Sequence, residues 1–259
     1  MRNNLGLLGL NAKLEKKIIF VFGSSFIEAA QVPPENISVS VFQQLIEKNY
    51  PNFTVLNLGR KAHDLYDCWF RYNYYKRIYE PAYVILIIDQ RNSFNRHLHP
   101  LNFSLPQNFG NIDKRLKVII GTKILSSSSY LSLCYRGFRD IINKKNNEVD
   151  LEDIELCEDN SDNQYSMLTD IQMCILQFKK DVKCPLLILS ICNDKNMNNK
   201  IKAYCDSLKI YCNVCDNIQS VDNQINGSGH FNIKGNYMLG NLIYDTFIDS
   251  RKSINKGTQ

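Results

Sequence analysis

A serine and a histidine near opposite ends of the chain have the surroundings of a nucleophile and its base. Ser25 ends the Gly-Ser-Ser tripeptide at residues 23–25, directly after an apolar run, and His230 lies in the Ser-Gly-His-Phe-Asn segment at residues 228–232. A serine in a sharp strand-to-helix turn exposes its Oγ at a sheet edge and its N–H at a helix start, as a nucleophile that also donates to an oxyanion requires. The same tripeptide is also typical of a turn that caps a helix or binds a small phosphate.

Two further polar turns fall between these residues. Asn57 and Gly59 form an Asn-x-Gly turn after the second apolar run, with Ala62 shortly after it, and Asn92 follows the third run. In open parallel sheets, ligands bind outside the carboxyl ends of the strands, so turns in these places are candidates for one shared site.

The elements that must position these residues are predicted from the apolar pattern. Five apolar runs predict strands at residues 17–22, 53–58, 83–88, 185–191 and 209–214. Helical spacing predicts helices at residues 39–48, 64–79 and 233–248. Continuous apolar strands that alternate with helices indicate a mostly parallel sheet covered on both faces, so we expect a flavodoxin-like, three-layer α/β/α domain with five strands.

The composition favours one globular domain over residues 1–259 with an insertion. The chain is 44% hydrophobic and 22% charged with a net charge of +5, which does not by itself call for a nucleic-acid or membrane partner. The long excursion at residues 93–164 after the third strand is expected to include a cap over the site, and its acidic end at 146–164 is expected to be mobile. No oligomeric state follows from this composition.

The expected location is the cytoplasm, with envelope association left open. The apolar runs are strand-sized and the first 17 residues lack the apolar stretch of a secretory signal. The nine cysteines then read as reduced thiols.

Other chemistry-bearing residues favour ordinary structural interpretations. His63 and Asp64 are typical of a helix start. His97 and His99 have the alternate spacing of metal ligands but no acidic or cysteine partner nearby in sequence, and the Cys-x-x-Cys pair at residues 212–215 has no second pair. We therefore predict no metal and no cofactor.

The order of these turns resembles the SGNH (GDSL-like) hydrolase superfamily over most of the chain outside the insertion. The opening Asn-x-x-Gly-x-x-Gly of residues 3–9 is similar to the lead-in of a branch with envelope and polysaccharide-associated members. The resemblance implies that Ser25 is the nucleophile, with Ser24 in place of the usual Asp, and that His230 is the catalytic histidine.

The resemblance also implies the donors that stabilise an oxyanion. These are the N–H of Ser25, a backbone N–H at Ala62 or Gly59, and the side-chain amide of Asn92. Alanine keeps the N–H of the family's glycine but tolerates positive φ poorly, so the backbone there is expected to differ.

The acid that usually orients the histidine is missing from its expected place. The family has an Asp three or two residues before the histidine, and this chain has Gly227 and Ser228 there. Three alternatives stay open. The histidine is oriented by a backbone carbonyl or by Ser228, a carboxylate such as Asp89 or Asp64 replaces the Asp, or the site is a degenerate one that only binds.

The function that follows is that of a serine esterase acting on an acyl, foremost an acetyl, ester of a carbohydrate or small molecule. The alternatives are an O-acyltransferase that uses the same serine and histidine, and a glycan-binding or assembly protein that lost the acid. The substrate class follows from the resemblance, because fold alone does not determine function.

Overall fold

The computed structural model describes residues 3–61, 63–89 and 160–256, and these residues form a sheet covered by helices on both sides. The strands are β1 (Lys17–Phe22), β2 (Phe53–Asn57), β3 (Pro81–Ile88), β4 (Leu186–Ser190) and β5 (Tyr211–Val214). The helices are α1 (Ser25–Glu28), α2 (Ser38–Asn49), α3 (Leu65–Tyr75), α4 (Asn160–Asp181), α5 (Lys195–Ser207) and α6 (Ile233–Lys256). Short 3-10 turns occur at Pro34–Asn36 and Val221–Asn223.

The five strands form one sheet in the order β2-β1-β3-β4-β5, and every neighbouring pair is parallel. This confirms the expected three-layer α/β/α fold. The chain runs from β1 outward to β2 and then returns to the other side of β1 as β3, so the strand order reverses between β1 and β3. Such a switch point opens a crevice at the carboxyl ends of the two strands, which is where the Gly-Ser-Ser turn lies.

Alternate residues of the central strands face two different cores, because successive side chains of a strand point to opposite faces. Ile19 and Val21 pack with α2 and α6. Phe20 and Phe22 face α3 and α4, where Phe22 stacks edge-on against Tyr72 at 6.4 Å between ring centroids. Both faces of β1 are therefore sealed from water, as its unbroken apolar sequence predicts.

Two helices, α4 and α5, were not predicted from the sequence. In α4 the residues at 171, 174, 175 and 178 are fully buried, and their spacing of three and four is the helical signal. Residues 160–164, which were expected to be mobile, belong to the backbone of this helix. The rest of the predicted insertion and cap, residues 93–159, lies outside the described residues. Within the described ranges, no helix is both long and apolar enough to cross a membrane.

The N-terminal lead-in is a closed turn whose glycines are needed for their backbone. Asn3 Oδ1 accepts hydrogen bonds from the N–H groups of Leu5 and Leu7, at 3.0 and 2.9 Å. Gly6 and Gly9 have φ angles of +73° and +124°, which side chains of L-residues rarely adopt. The Asn-x-x-Gly-x-x-Gly spacing is thus explained by the shape of this turn.

Candidate active site

The Gly-Ser-Ser turn connects β1 directly to the short helix α1. Ser24 is the N-cap, and its Oγ accepts a hydrogen bond from Phe26 N–H at 3.4 Å. Ser25 is the first helical residue and is largely buried, with 8% of its surface exposed. A Cβ on Gly23 would collide with the side chain of Ile27, so the turn can only be this tight with glycine at that position.

The structure brings Ser25 and His230 together across 205 residues of sequence. The Nε2 atom of His230 lies 3.1 Å from the Oγ of Ser25, within hydrogen-bond distance. The imidazole also packs beside the ring of Phe26, 6.1 Å away between centroids. The sheet topology therefore places a hydroxyl and a base in the arrangement that nucleophilic catalysis requires.

The other imidazole nitrogen contacts the main chain. His230 Nδ1 lies 3.0 Å from the carbonyl oxygen of Ser228, and Ser228 Oγ accepts a hydrogen bond from His230 N–H at 3.2 Å. A carbonyl oxygen can only accept, so this bond requires the proton on Nδ1. In the neutral ring Nε2 then carries the lone pair that faces Ser25, as a general base must.

The loop that carries His230 has a conformation that depends on two glycines. Gly227 and Gly229 have φ angles of +74° and +64°. Asn232 holds the loop at its end, where its Nδ2 donates to the carbonyl oxygens of Asp222 and Gln224 at 2.9 and 3.1 Å. A Cβ at position 227 would meet nothing within 4 Å, so this side of the loop is open.

The two acidic residues considered as substitutes for the missing Asp lie elsewhere around the turn. Asp89 follows β3, and its Oδ2 accepts a hydrogen bond from Ser24 Oγ at 2.6 Å. Asp64 is the N-cap of α3, where its Oδ1 accepts from Asp67 N–H at 2.9 Å. Nδ1 of His230 instead contacts the Ser228 carbonyl, in line with the first of the three alternatives.

The carboxylate of Asp67 completes the capping box of α3 close to Asp64. Its Oδ2 accepts from Asp64 N–H at 3.3 Å. Burial, followed by the charge of Asp64, raises the pKa of the Asp67 carboxyl to about 6, against the opposing effect of two nearby arginines.

The expected oxyanion donors have different placements. The N–H of Ser25 lies at the start of α1, and the N–H of Gly59 donates to Asn57 Oδ1 at 3.0 Å. Gly59 would have to leave this bond in order to serve an oxyanion. Ala62 and Asn92 lie outside the described residues.

Asn57 and Gly59 also have a packing role that the sequence analysis missed. Asn57 Nδ2 donates to the carbonyl oxygen of Ile27 at 2.9 Å, which ties the end of β2 to α1. A Cβ on Gly59 would lie 2.5 Å from Cβ of Ile27 and 2.6 Å from the backbone N of Glu28. The Asn-x-Gly spacing is the signal for this contact.

Potential metal ligands can be compared in the part of the chain that the structure describes. That part contains no group of three or more His, Cys, Asp or Glu side chains arranged to hold an ion. Its cysteines are all free thiols, Cys212 and Cys215 among them. His97 and His99 lie outside the described residues.

Comparison with known proteins identifies the fold. No protein-family model matches the chain, and no curated protein matches it. Among solved structures, the psychrotrophic esterase EstA from Pseudoalteromonas sp. superposes with a TM-score of 0.53 and 11% identity, over 93% of this chain and all of that one. TesA superposes with a TM-score of 0.51 and 11% identity, over 89% of this chain and 97% of that one. The chain thus shares the three-layer α/β/α fold of these two proteins, as the resemblance implied.

Proposed function

We propose that the protein is a serine esterase in which Ser25 is the nucleophile and His230 the general base. The observation that carries this proposal is the 3.1 Å contact between Ser25 Oγ and His230 Nε2, at the switch point of a fold shared with esterases. Burial of Ser25 and the orientation of the imidazole by a carbonyl both favour a prepared site over an accidental contact.

The proposed reaction is acyl transfer through a covalent intermediate. Nε2 of His230 takes the proton from Ser25 Oγ while Oγ forms a bond to the ester carbonyl carbon. The carbon–oxygen bond to the leaving alcohol then breaks, and the imidazolium returns the proton to that oxygen. Water attacks the acyl-serine by the reverse route and releases the acid. The N–H of Ser25 stabilises the oxyanion in both halves, and the side chain of Asn92 and the N–H of Ala62 are proposed as further donors.

The Ser228 carbonyl replaces the usual carboxylate in this proposal. It orients the ring and fixes the proton on Nδ1, which is what the acid does for the tautomer. A neutral carbonyl stabilises the imidazolium less than a carboxylate does, because it carries only a partial charge. We therefore expect a slower esterase than one with a full triad.

The proposed substrate is an acetyl ester of a carbohydrate or of a small molecule. Its support is the resemblance of residues 3–9 to the lead-in of the polysaccharide-associated branch, together with the known preference of SGNH hydrolases for such esters.

The test is hydrolysis of p-nitrophenyl acetate by the wild type and three variants. We expect Ser25→Ala and His230→Ala each to lose at least about 10³-fold in kcat/KM, since the two groups act as a unit. Ser207→Ala is the matched control, because Ser207 is an exposed serine that only donates to the Tyr204 carbonyl. A fluorophosphonate should label the wild type at Ser25 and leave Ser25→Ala unlabelled.

Three results would redirect the proposal. Equal rates in the wild type and Ser25→Ala would support a binding protein without catalysis. Acetyl transfer to an added sugar at the expense of hydrolysis would support an O-acyltransferase. Cleavage of p-nitrophenyl acetate without release of acetate from acetylated sugars would refute the carbohydrate part alone.

A further inference from the structure

We propose that Asp89 is a positioning residue for the nucleophile and acts through Ser24. The inference deepens the proposed function and rests on it for the role of Ser25. It concerns the hydrogen bond between a buried carboxylate and a buried hydroxyl that crosses the crevice from β3 to β1.

The contact between Asp89 and Ser24 is short and sealed from water. Asp89 Oδ2 lies 2.6 Å from Ser24 Oγ, and the two residues are 3% and 4% exposed. The pairing of Phe22 with Leu86 brings the ends of β1 and β3 side by side, so the residues that follow them meet at the switch point. A carboxylate is costly to bury, and a short O–H···O⁻ bond is one of the stronger ways to offset that cost.

This bond fixes the start of α1, on which the position of Ser25 depends. The Ser24 hydroxyl donates to Asp89, so its lone pair is turned toward the N–H of Phe26. The Ser24 carbonyl accepts from the N–H groups of Ile27 and Glu28 at 3.0 and 3.1 Å. A helix of four residues is too short to be stable by itself, so the orientation of Ser24 determines where the Oγ of Ser25 points.

Asp89 lies on the α3 side of the turn. It shares a small cavity with Ser24, His63, Asp64 and Cys68. Cys68 Sγ donates to the carbonyl oxygen of Gly23 at 3.9 Å, and burial raises the pKa of this thiol, which keeps its proton in place. His230 contacts Ser25 from the loop that precedes α6, whereas Asp89 contacts the preceding residue, Ser24.

The first experiment removes the carboxylate and measures steady-state kinetics on p-nitrophenyl acetate. We expect Asp89→Ala to lower kcat about 100-fold and Asp89→Asn about 10-fold, with KM changed by less than about threefold, because misplacement of a nucleophile by about 1 Å has effects of this size. Asp245→Asn is the matched control, because Asp245 is an exposed carboxylate within α6, outside the turn and the histidine loop. A KM that rises while kcat stays constant would contradict the positioning role.

The second experiment moves the carboxylate from position 89 to position 24. Ser24→Asp places two carboxylates in contact within a buried site and should lower kcat at least about 100-fold. Adding Asp89→Asn restores a single charge and supplies an N–H donor to the new carboxylate, which still caps Phe26. We expect the double variant to recover to within about tenfold of the wild type, whereas additive losses would refute the coupling.

A third measurement separates this inference from the proposed function. Hydrogen exchange of the amides of residues 26–29 should be faster in Asp89→Ala than in the wild type, whether or not the protein is an esterase. Unchanged exchange would overturn the inference even if Ser25 is the nucleophile. Faster exchange in Asp89→Ala, combined with a wild type that no fluorophosphonate labels, would overturn the esterase and leave Asp89 as the residue that positions the turn. If Asp89→Ala does not fold, Asp89→Asn and the double variant of Ser24→Asp with Asp89→Asn supply the same comparison.

Discussion

The two halves of the candidate site are held in place by different chemistry. On the serine side, a buried carboxylate, Asp89, and two glycines packed against Ile27 hold a tightly packed turn. On the histidine side, the ring is oriented by a main-chain carbonyl in a loop with two left-handed glycines, and Gly227 borders open space. Ser25 is therefore positioned by packing and charge, and His230 by backbone conformation.

The largest expected difference in stability and activity comes from replacing a glycine by alanine on the serine side and on the histidine side. Gly59→Ala puts a methyl group against the Ile27 side chain and the backbone N of Glu28, neither of which can move without shifting α1. We expect a loss of about 1–3 kcal/mol or more in the free energy of unfolding and at least about 100-fold in kcat. The measurements are chemical denaturation and esterase kinetics.

Gly227→Ala is the counterpart on the histidine side. The new methyl group meets open space, and only the left-handed φ of +74° opposes it, so we expect about 1 kcal/mol of destabilisation. If Gly227→Ala proves as harmful as Gly59→Ala, the contrast between a packed turn and an open loop is wrong.

A gain of activity is expected from an acid on the open side of the histidine loop. Gly227→Asp places a carboxylate three residues before His230, and Asp tolerates left-handed φ better than most residues. Because a carboxylate stabilises the imidazolium that forms in the transition state, we expect kcat on p-nitrophenyl acetate to rise about tenfold.

Gly227→Asn is the control for this gain, since it has the same shape and no charge. An equal rise in both variants would attribute the effect to loop conformation. No rise in either would mean that the Ser228 carbonyl already supplies all that the ring requires.

The smallest expected effect is a pH dependence of stability caused by Asp67, which lies beside Asp64 at the start of α3. The raised pKa of Asp67, about 6 against an ordinary 3.8, means that the folded protein holds this proton more tightly than the unfolded chain. Its contribution to stability is therefore fully present below pH 3.8 and is lost as the pH rises through about 6. Asp67→Asn removes the charge and keeps an acceptor for Asp64 N–H.

The change in Tm caused by Asp67→Asn should accordingly be more favourable at pH 8 than at pH 4, by a few degrees. Ser207→Ala is an uncharged surface control. A difference that is the same at both pH values would show that Asp67 does not carry the raised pKa.

The fold was predictable because its signals are local and repeated. Apolar runs gave the five strands, and alternation with helices indicated the parallel order that the structure confirms. The helix α4 was not predicted because its buried residues at 171–178 follow a long polar stretch whose composition is typical of a mobile segment. The helix α5 was missed because it is mostly polar, and its start is visible only in the Asp194 side chain that caps it.

The site was predictable only in part. Ser25 and His230 were identifiable because each residue type follows a recognisable turn, and their proximity follows from the topology. The bond between Ser24 and Asp89 was not, because two residues 65 positions apart leave no spacing pattern in a single sequence. For the same reason, the hydrogen bond that occupies the N–H of Gly59 was visible only in the structure.

The acceptor that orients His230 has a consequence for how this kind of site is recognised. Every amino acid presents the same peptide oxygen, so no substitution at position 228 deletes the group, although insertions or deletions nearby would move it. Saturation mutagenesis should find position 228 permissive compared with Ser25 and His230. Searches that look for a conserved acid before the histidine would pass over hydrolases built in this way, and a search for loop geometry would find them.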